Sequence, residues 1–144
     1  MRILGLMSND DAVRAVVGEF LAALGKGDAD LIAATFAEEI DWYVPGDQAQ
    51  GWTGQRTRRD EVPAYFRTMW PIFVPGESET ELKKILVDGP DAVILAQFTH
   101  TVQANRRRFS TPVAMHLTVE NGKLVRMHLY EDTHLVAKSV GAAA

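Results

Sequence analysis

The chain has 144 residues, 47% of them hydrophobic, which is enough to build one domain around a single core without covalent staples. It contains no cysteine, so disulfides, thiolate metal centres and cysteine nucleophiles are excluded. A formal charge of −4 argues against nucleic acid as a partner, and the one basic run, Arg106-Arg107-Arg108, falls where a strand-to-strand turn is expected and reads as a solvated loop.

Residues 1–7 read as a loose leader, too short for a secretory signal, and no stretch resembles a membrane span, so a cytoplasmic protein is expected. Residues 8–141 form the expected single domain, and 142–144 a tail. Ser8 offers a hydroxyl cap with Asp11 three residues on. Val13, Val16, Val17, Phe20, Leu21 and Leu24 then recur at helical spacing as far as Gly25. Asp28 caps a second, shorter helix through Leu31 to Phe36. In Glu39–Val44 the residues Ile40, Trp42 and Val44 alternate with Asp41 and Tyr43 until Pro45-Gly46, a strand with Trp42 facing in. Residues 47–59 read as a loop over one end of the fold, with Trp52 either covering a pocket mouth or anchoring the loop. A third helix runs from Asp60 to about Trp70, with Pro63 tolerable in its first turn.

Strands are expected over Glu79–Val87, Val93–Gln103, Arg108–Val119 and Lys123–Glu131, the first two joined at Gly89-Pro90 and the last two at Glu120-Asn121-Gly122. In the last pair the apolar residues fall on odd numbers in both strands: Val113, Met115, Leu117 and Val119, then Val125, Met127 and Leu129. A two-residue Asn-Gly turn would set odd against even. A three-residue turn pairing Val119 with Lys123 aligns the two apolar faces and is the preferred register. Asp132 caps a final helix through Val140. Two helices, a strand, a helix, a four-strand meander and a terminal helix give an α+β order, with helices closing one side of a curved sheet around a pocket.

Two residues stand out as candidates for chemistry. His100 falls on the inward set of its strand with Ala96, Phe98 and Val102. A histidine there is either an acid–base group near neutral pH or a hydrogen-bonded core residue. Glu131 puts a carboxylate where the alternation asks for a hydrophobe. In the preferred register its row contains Thr111 and Val102, with His100 one inward step away and about 10 Å off between backbones at ~4.8 Å per strand. Burial would raise its pKa, whereas an early strand end would leave it solvated. The expected lining comprises Phe20, Trp42, Val44, Tyr65, Phe66, Trp70, Phe98, Val102, Val113, Met115, Leu117, Met127 and Leu129, which suit a flat apolar ligand unless they pack on one another as core. His116 and His128 have outward parity, and His134 has no evident partner. The dispersed histidines give no metal constellation and no glycine-rich phosphate motif stands out, so no metal or cofactor is expected.

The order and spacing of Phe36-Ala37-Glu38-Glu39-Ile40-Asp41-Trp42-Tyr43-Val44-Pro45-Gly46, of Gly54 with Arg59-Asp60-Glu61-Val62 and Tyr65-Phe66, and of Tyr130-Glu131-Asp132-Thr133 before Leu135, Val136 and Gly141 resemble the nuclear transport factor 2-like superfamily. Within it the chain is similar to SnoaL-like polyketide cyclases and ketosteroid-isomerase relatives. The resemblance implies a cone-shaped, strongly curved, mostly antiparallel sheet packed on three helices with a short C-terminal helix. It also implies a cavity for a small hydrophobic molecule and a homodimer through the outer sheet face. It fixes no reaction, because one such fold hosts many. The isomerases' general base precedes the proline ending the first strand, where this chain has Val44. Their oxyanion donors fall on Phe20 and Met115, and the last-strand acid of limonene-type epoxide hydrolases falls on Leu129. Neither of those two activities is expected. The expectation is a cofactor-independent isomerase, cyclase or lyase acting on a hydrophobic, cyclic carbonyl compound, with His100 moving the proton and Glu131 assisting or orienting. The alternative is a non-catalytic hydrophobic-ligand-binding or dimerisation module of the same fold.

Overall fold

The computed structural model describes residues 8–141, and the expected leader and tail lie outside them. Helix α1 (Asn9–Lys26) starts on the Ser8 hydroxyl, which accepts from the Asp11 N–H, and ends at Gly27 in the left-handed conformation, two residues beyond the expected stop. Val13, Val16, Val17 and Phe20 form its buried stripe. Asp28 accepts from the amides of Asp30 and Leu31 to cap α2 (Ala29–Ala33), which leaves Phe36 to open strand β1 (Phe36–Val44) instead of closing the helix. Helix α3 (Val62–Met69) lies between two single 3-10 turns and buries Val62, Tyr65 and Phe66, the i, i+3, i+4 positions of one face.

The expected loop 47–59 contains a further strand, β2 (Gly54–Arg58), paired antiparallel with β1. Gly-Gln-Arg-Thr-Arg has no apolar alternation because it forms the sheet edge, so the usual signal is missing. Strands β3 (Glu79–Asp88), β4 (Asp91–Thr101), β5 (Arg108–Glu120) and β6 (Lys123–Glu131) complete a six-stranded sheet in the order β2-β1-β6-β5-β4-β3. All neighbours are antiparallel except β1 and β6. Helix α4 (Thr133–Val140) is capped by Asp132, whose side chain accepts from the Leu135 amide.

The β5–β6 turn differs from the expected one. Glu120 pairs with Lys123 across a two-residue turn, with Asn121 at φ 51° and Gly122 at φ 76°, both left-handed as a type I′ hairpin requires. A bulge after Thr118 then inserts one residue, so Leu117 pairs with Met127, Met115 with Leu129 and Val113 with Glu131. The odd-with-odd alignment of the apolar faces is therefore reached by a tight turn plus a bulge, not by a three-residue turn. Val125, at the bulge, is half-buried while Leu124 is fully buried.

Most of the core lies between the helices and the concave face of the sheet. An aromatic column crosses it from Phe20 on α1 to Phe36 (centroids 5.8 Å apart), on to Trp42 (5.4 Å) and then Tyr65 (5.0 Å). Each edge-on pair adds about 0.5–1.5 kcal/mol beyond its area burial. A smaller cluster of Phe73, Val102, Phe109 and Val136 seats α4. The basic run is not merely solvated. Arg107 donates to the Lys138 carbonyl at 2.7 Å, near the C-terminal end of α4 where cations are favoured, and Arg108 bonds the Glu77 carbonyl, Thr101 and Glu79.

Candidate functional site

The concave face of the sheet and helices α1 and α3 enclose a cavity of about 560 Å³. Phe20, Trp42, Tyr65, Phe66, Trp70, Phe98, Met115, Met127 and Leu129 line it together with His100 and Glu131. Four expected wall residues do not. Val44, Val113 and Leu117 are packed into the main core, and Val102 is packed in the α4 cluster, where its backbone bridges to Phe73 beyond the end of β4. The wall gains Leu21, Leu24 and Gly25 from the end of α1, Ser78, Thr80 and Leu82 from the β3 side, and Trp52, Met69, Phe73, Ile94, Ala96, Phe109 and Val136. Gly25, Ser78, Thr80 and Leu82 are exposed, so the opening lies between α1 and β3, across the sheet from Glu131. Trp52 is buried against Phe73 and belongs to the wall. The missed lining comes largely from places where alternation carries no message, a helix end and the segment around Phe73.

Glu131 is the last residue of β6, two and four positions beyond the buried wall residues Leu129 and Met127. Its carboxyl is pushed up to about 7, chiefly by removal from water and secondarily by the neighbouring Asp132 carboxylate. Half-buried as it is, it has no hydrogen-bond partner among the described residues to offset that loss of water. Opposite it, α3 presents Tyr65, buried and edge-on to Trp42 at 5.0 Å and to Phe66 at 4.8 Å. The Arg56 guanidinium lies 5.5 Å from the centre of the Tyr65 ring and is fixed by donation to the Trp52 carbonyl. Burial first, then the Glu131 charge, raises the phenol above its ordinary pKa, so it remains an O–H donor.

His100 points into the same cavity, with the parity expected of it. Its Nδ1 shares a 2.7 Å hydrogen bond with the Ser78 hydroxyl, and its ring stacks on Phe73 with centroids 4.2 Å apart. Burial, with a further push from the Arg108 charge, lowers its pKa to about 4, so the ring is neutral at pH 7. It stands farther from Glu131 than expected. Glu131 shares its row with Val113 and Ala96, not with Thr111 and Val102: the tight turn plus bulge moves its β5 partner from Thr111 to Val113, and the β4–β5 register sets Val113 against Ala96 and His100 against Phe109. Two strand spacings and four residues along β4 put the backbones roughly 16 Å apart. The two side chains can contact opposite parts of one ligand but not one another.

On the outer sheet face Asp41 receives Gln55 at 3.0 Å and Arg126 at 3.3 Å, with the His128 Nε2 at 2.8 Å. These partners, Gln55 first, hold its carboxyl down to about 2. Asp91 similarly accepts from Thr118 at 2.6 Å and contacts His116 at 2.9 Å. His116 and His128 therefore have the outward parity expected of them, and their rings are 6.3 Å apart. His134 is exposed. Among the described residues no three His, Asp or Glu side chains gather as a metal ligand set, and no helix is long and apolar enough to cross a membrane.

A bent six-stranded sheet closed by three helices around an apolar cavity is the nuclear transport factor 2-like fold, also called ketosteroid isomerase-like. The chain belongs to the SnoaL-like domain family, whose profile matches residues 17–127. Among solved structures it is similar to an NTF2-like protein of unknown function from Burkholderia pseudomallei, with 23% identity, a TM-score of 0.81, and 93% of this chain and 98% of that one covered. It is also similar to TerC co-crystallised with polyporic acid (13%, 0.79, 90% and 98%) and to a putative polyketide cyclase from Xanthomonas campestris (16%, 0.72, 92% and 99%). Among curated proteins no sequence match is found.

Proposed function

We propose that the protein is a cofactor-independent enzyme that moves protons on a hydrophobic, cyclic carbonyl compound inside this cavity, in an isomerisation, cyclisation or dehydration. The observation that carries the reading is Glu131: a half-buried carboxyl in a largely apolar cavity wall, with no hydrogen-bond partner among the described residues and poised at about 7. A group that ionises near the working pH gains and loses a proton with little penalty either way. Similarity to a putative polyketide cyclase and to a protein co-crystallised with polyporic acid supports the substrate class.

In this reading the principal proton carrier is Glu131, and His100 is a neutral ligand contact at the other end of the cavity. Ionised Glu131 takes a proton from the carbon next to a carbonyl. The C–H electron pair becomes the enolate double bond, and the charge moves to oxygen. The protonated carboxyl then returns its proton to a second carbon, or to the oxygen of a leaving hydroxyl. No net oxidation occurs and no electron acceptor is needed. Val44 in place of the isomerases' base agrees with this shift of the proton carrier from β1 to the end of β6.

The partner expected on the outer sheet face is a second copy of the chain. Tyr43 and Tyr130 are exposed apolar groups beside the Asp41–Arg126 and Asp91–His116 pairs, a mixture suited to a symmetric contact.

The test of the enzyme reading is turnover of polycyclic ketones with exchangeable protons, followed by incorporation of deuterium from solvent. The wild-type rate should rise with pH through a pKa near 7, and Glu131→Gln should abolish exchange while ligand binding persists. Exchange at the wild-type rate in Glu131→Gln would remove Glu131 from the mechanism.

A further inference from the structure

We infer that Tyr65 is a substrate-binding residue of this site, its phenolic O–H donating to the oxygen of a ligand carbonyl and to the enolate that forms from it. The inference rests on the enzyme reading above and names the group that would hold the oxygen while Glu131 works at carbon. Three observations carry it. Tyr65 lines the cavity from α3, on the opposite wall from Glu131, so a ligand between them meets both groups. Its hydroxyl has no protein hydrogen-bond partner among the described residues and reaches the cavity space, although the residue as a whole is only 6% exposed. An O–H that opens on the cavity without a protein acceptor is free to donate to a ligand there, which phenylalanine at the same position could not do. The ring itself is rigidly placed, held edge-on between Trp42 and Phe66 with the Arg56 guanidinium nearby.

The chemistry follows from this setting. An O–H donor already fixed and desolvated loses little freedom when charge develops on the ligand oxygen, so it favours the enolate over the ketone. The positions expected by resemblance to hold oxyanion donors carry Phe20 and Met115, both of which line this cavity without a donor. Tyr65 supplies from α3 what those positions lack. The ligand class is correspondingly narrow: a flat hydrocarbon body against the aromatic wall, with a carbonyl oxygen aimed at α3 and an acidic C–H aimed at β6.

All three tryptophans of the chain, Trp42, Trp52 and Trp70, line the cavity, so ligand entry can be read by quenching of their fluorescence. The probes are 2-acetylnaphthalene and its hydrocarbon isostere 2-isopropenylnaphthalene, which differ in shape only by C=O against C=CH2. The wild type should bind the ketone about 10-fold tighter than the isostere, and Tyr65→Phe should lose that preference while binding the isostere with unchanged affinity. Tyr65→Phe keeps the ring and its packing, and the wild-type preference needs no variant at all. Equal affinity of the wild type for both probes, or a Tyr65→Phe protein that retains the preference, would overturn the role of Tyr65 and leave the acid–base reading standing. Failure of the wild type to bind either probe would defeat both together.

Discussion

Replacing Glu131 with Gln should make the protein more stable at alkaline pH, and the gain should depend on pH in a calculable way. The carboxyl ionises at 4.5 in an unfolded chain and at about 7 in the fold. Below 4.5 it is protonated in both states and contributes no pH dependence. Between 4.5 and 7 the unfolded chain releases the proton first, so stability falls as pH rises, and above 7 the full cost of an ionised carboxylate in the cavity wall is present. At about 1.36 kcal/mol per pH unit that cost comes to about 3 kcal/mol. Glutamine has the shape of the protonated acid and never ionises, so it carries no such cost. Urea unfolding at pH 4.5 should give nearly the same midpoint for both proteins, whereas at pH 8.5 the Gln variant should unfold about 1–2 M later. Since the comparison is between two proteins at one pH, His100 and the surface carboxylates cancel. An unchanged difference between pH 4.5 and 8.5 would refute the burial of an ionisable Glu131, and with it the reason for assigning it the proton. A gain in stability together with a loss of turnover is the expected pattern where a site is kept strained for function.

His100 should act in the opposite direction. Its pKa is lowered from 6.5 to about 4, so its contribution is complete above 6.5 and is lost as pH falls through 4; His100→Gln should flatten the acid limb of the stability curve by up to about 3 kcal/mol, read by urea unfolding at pH 7 and pH 4. Equal slopes in both proteins would mean that the ring is solvated. On the outer face, Arg126→Glu would place a second carboxylate beside Asp41 and leave Thr118 without its donor, so a dimer held there should dissociate at lower dilution, by 10-fold or more in Kd for about 1.4 kcal/mol lost. Sedimentation velocity across a concentration series reads this. A dimer of wild-type strength in Arg126→Glu would assign that face another role.

Much of the fold was legible because burial leaves a periodic trace. The α1 stripe of Val13, Val16, Val17 and Phe20, the odd-numbered apolar face of β5 and the Asp132 cap all follow from one face meeting a core and the other meeting water. β2 left no such trace, since a polar edge strand is recruited by its neighbour's free backbone groups and not by its own side chains. Phe36 went to β1 instead of α2 for a related reason: fully buried against Phe20 and Trp42, it is placed by tertiary packing that local propensity does not encode.

The site was legible one residue at a time but not as an arrangement. Parity along a single strand was enough to point both His100 and Glu131 inward, because an inward residue stays inward when the register slips by two. Their distance depends on two registers, that of β5 with β6, set by the tight turn and the bulge after Thr118, and that of β4 with β5, set where Thr101 pairs with Arg108; no side chain advertises either. Together they move Glu131 from the row of Thr111 and Val102 to the row of Val113 and Ala96, away from His100. There it faces a tyrosine whose i, i+3, i+4 spacing with Val62 and Phe66 is what any packed helix would show. Nothing in that spacing distinguishes a hydroxyl that needs a ligand from a ring that merely fills a core. What distinguishes Tyr65 is an O–H that reaches the cavity without a protein acceptor among the described residues, a property of the assembled fold. That is why the proton-carrying carboxylate could be read from a broken pattern while its proposed oxygen-binding partner could not.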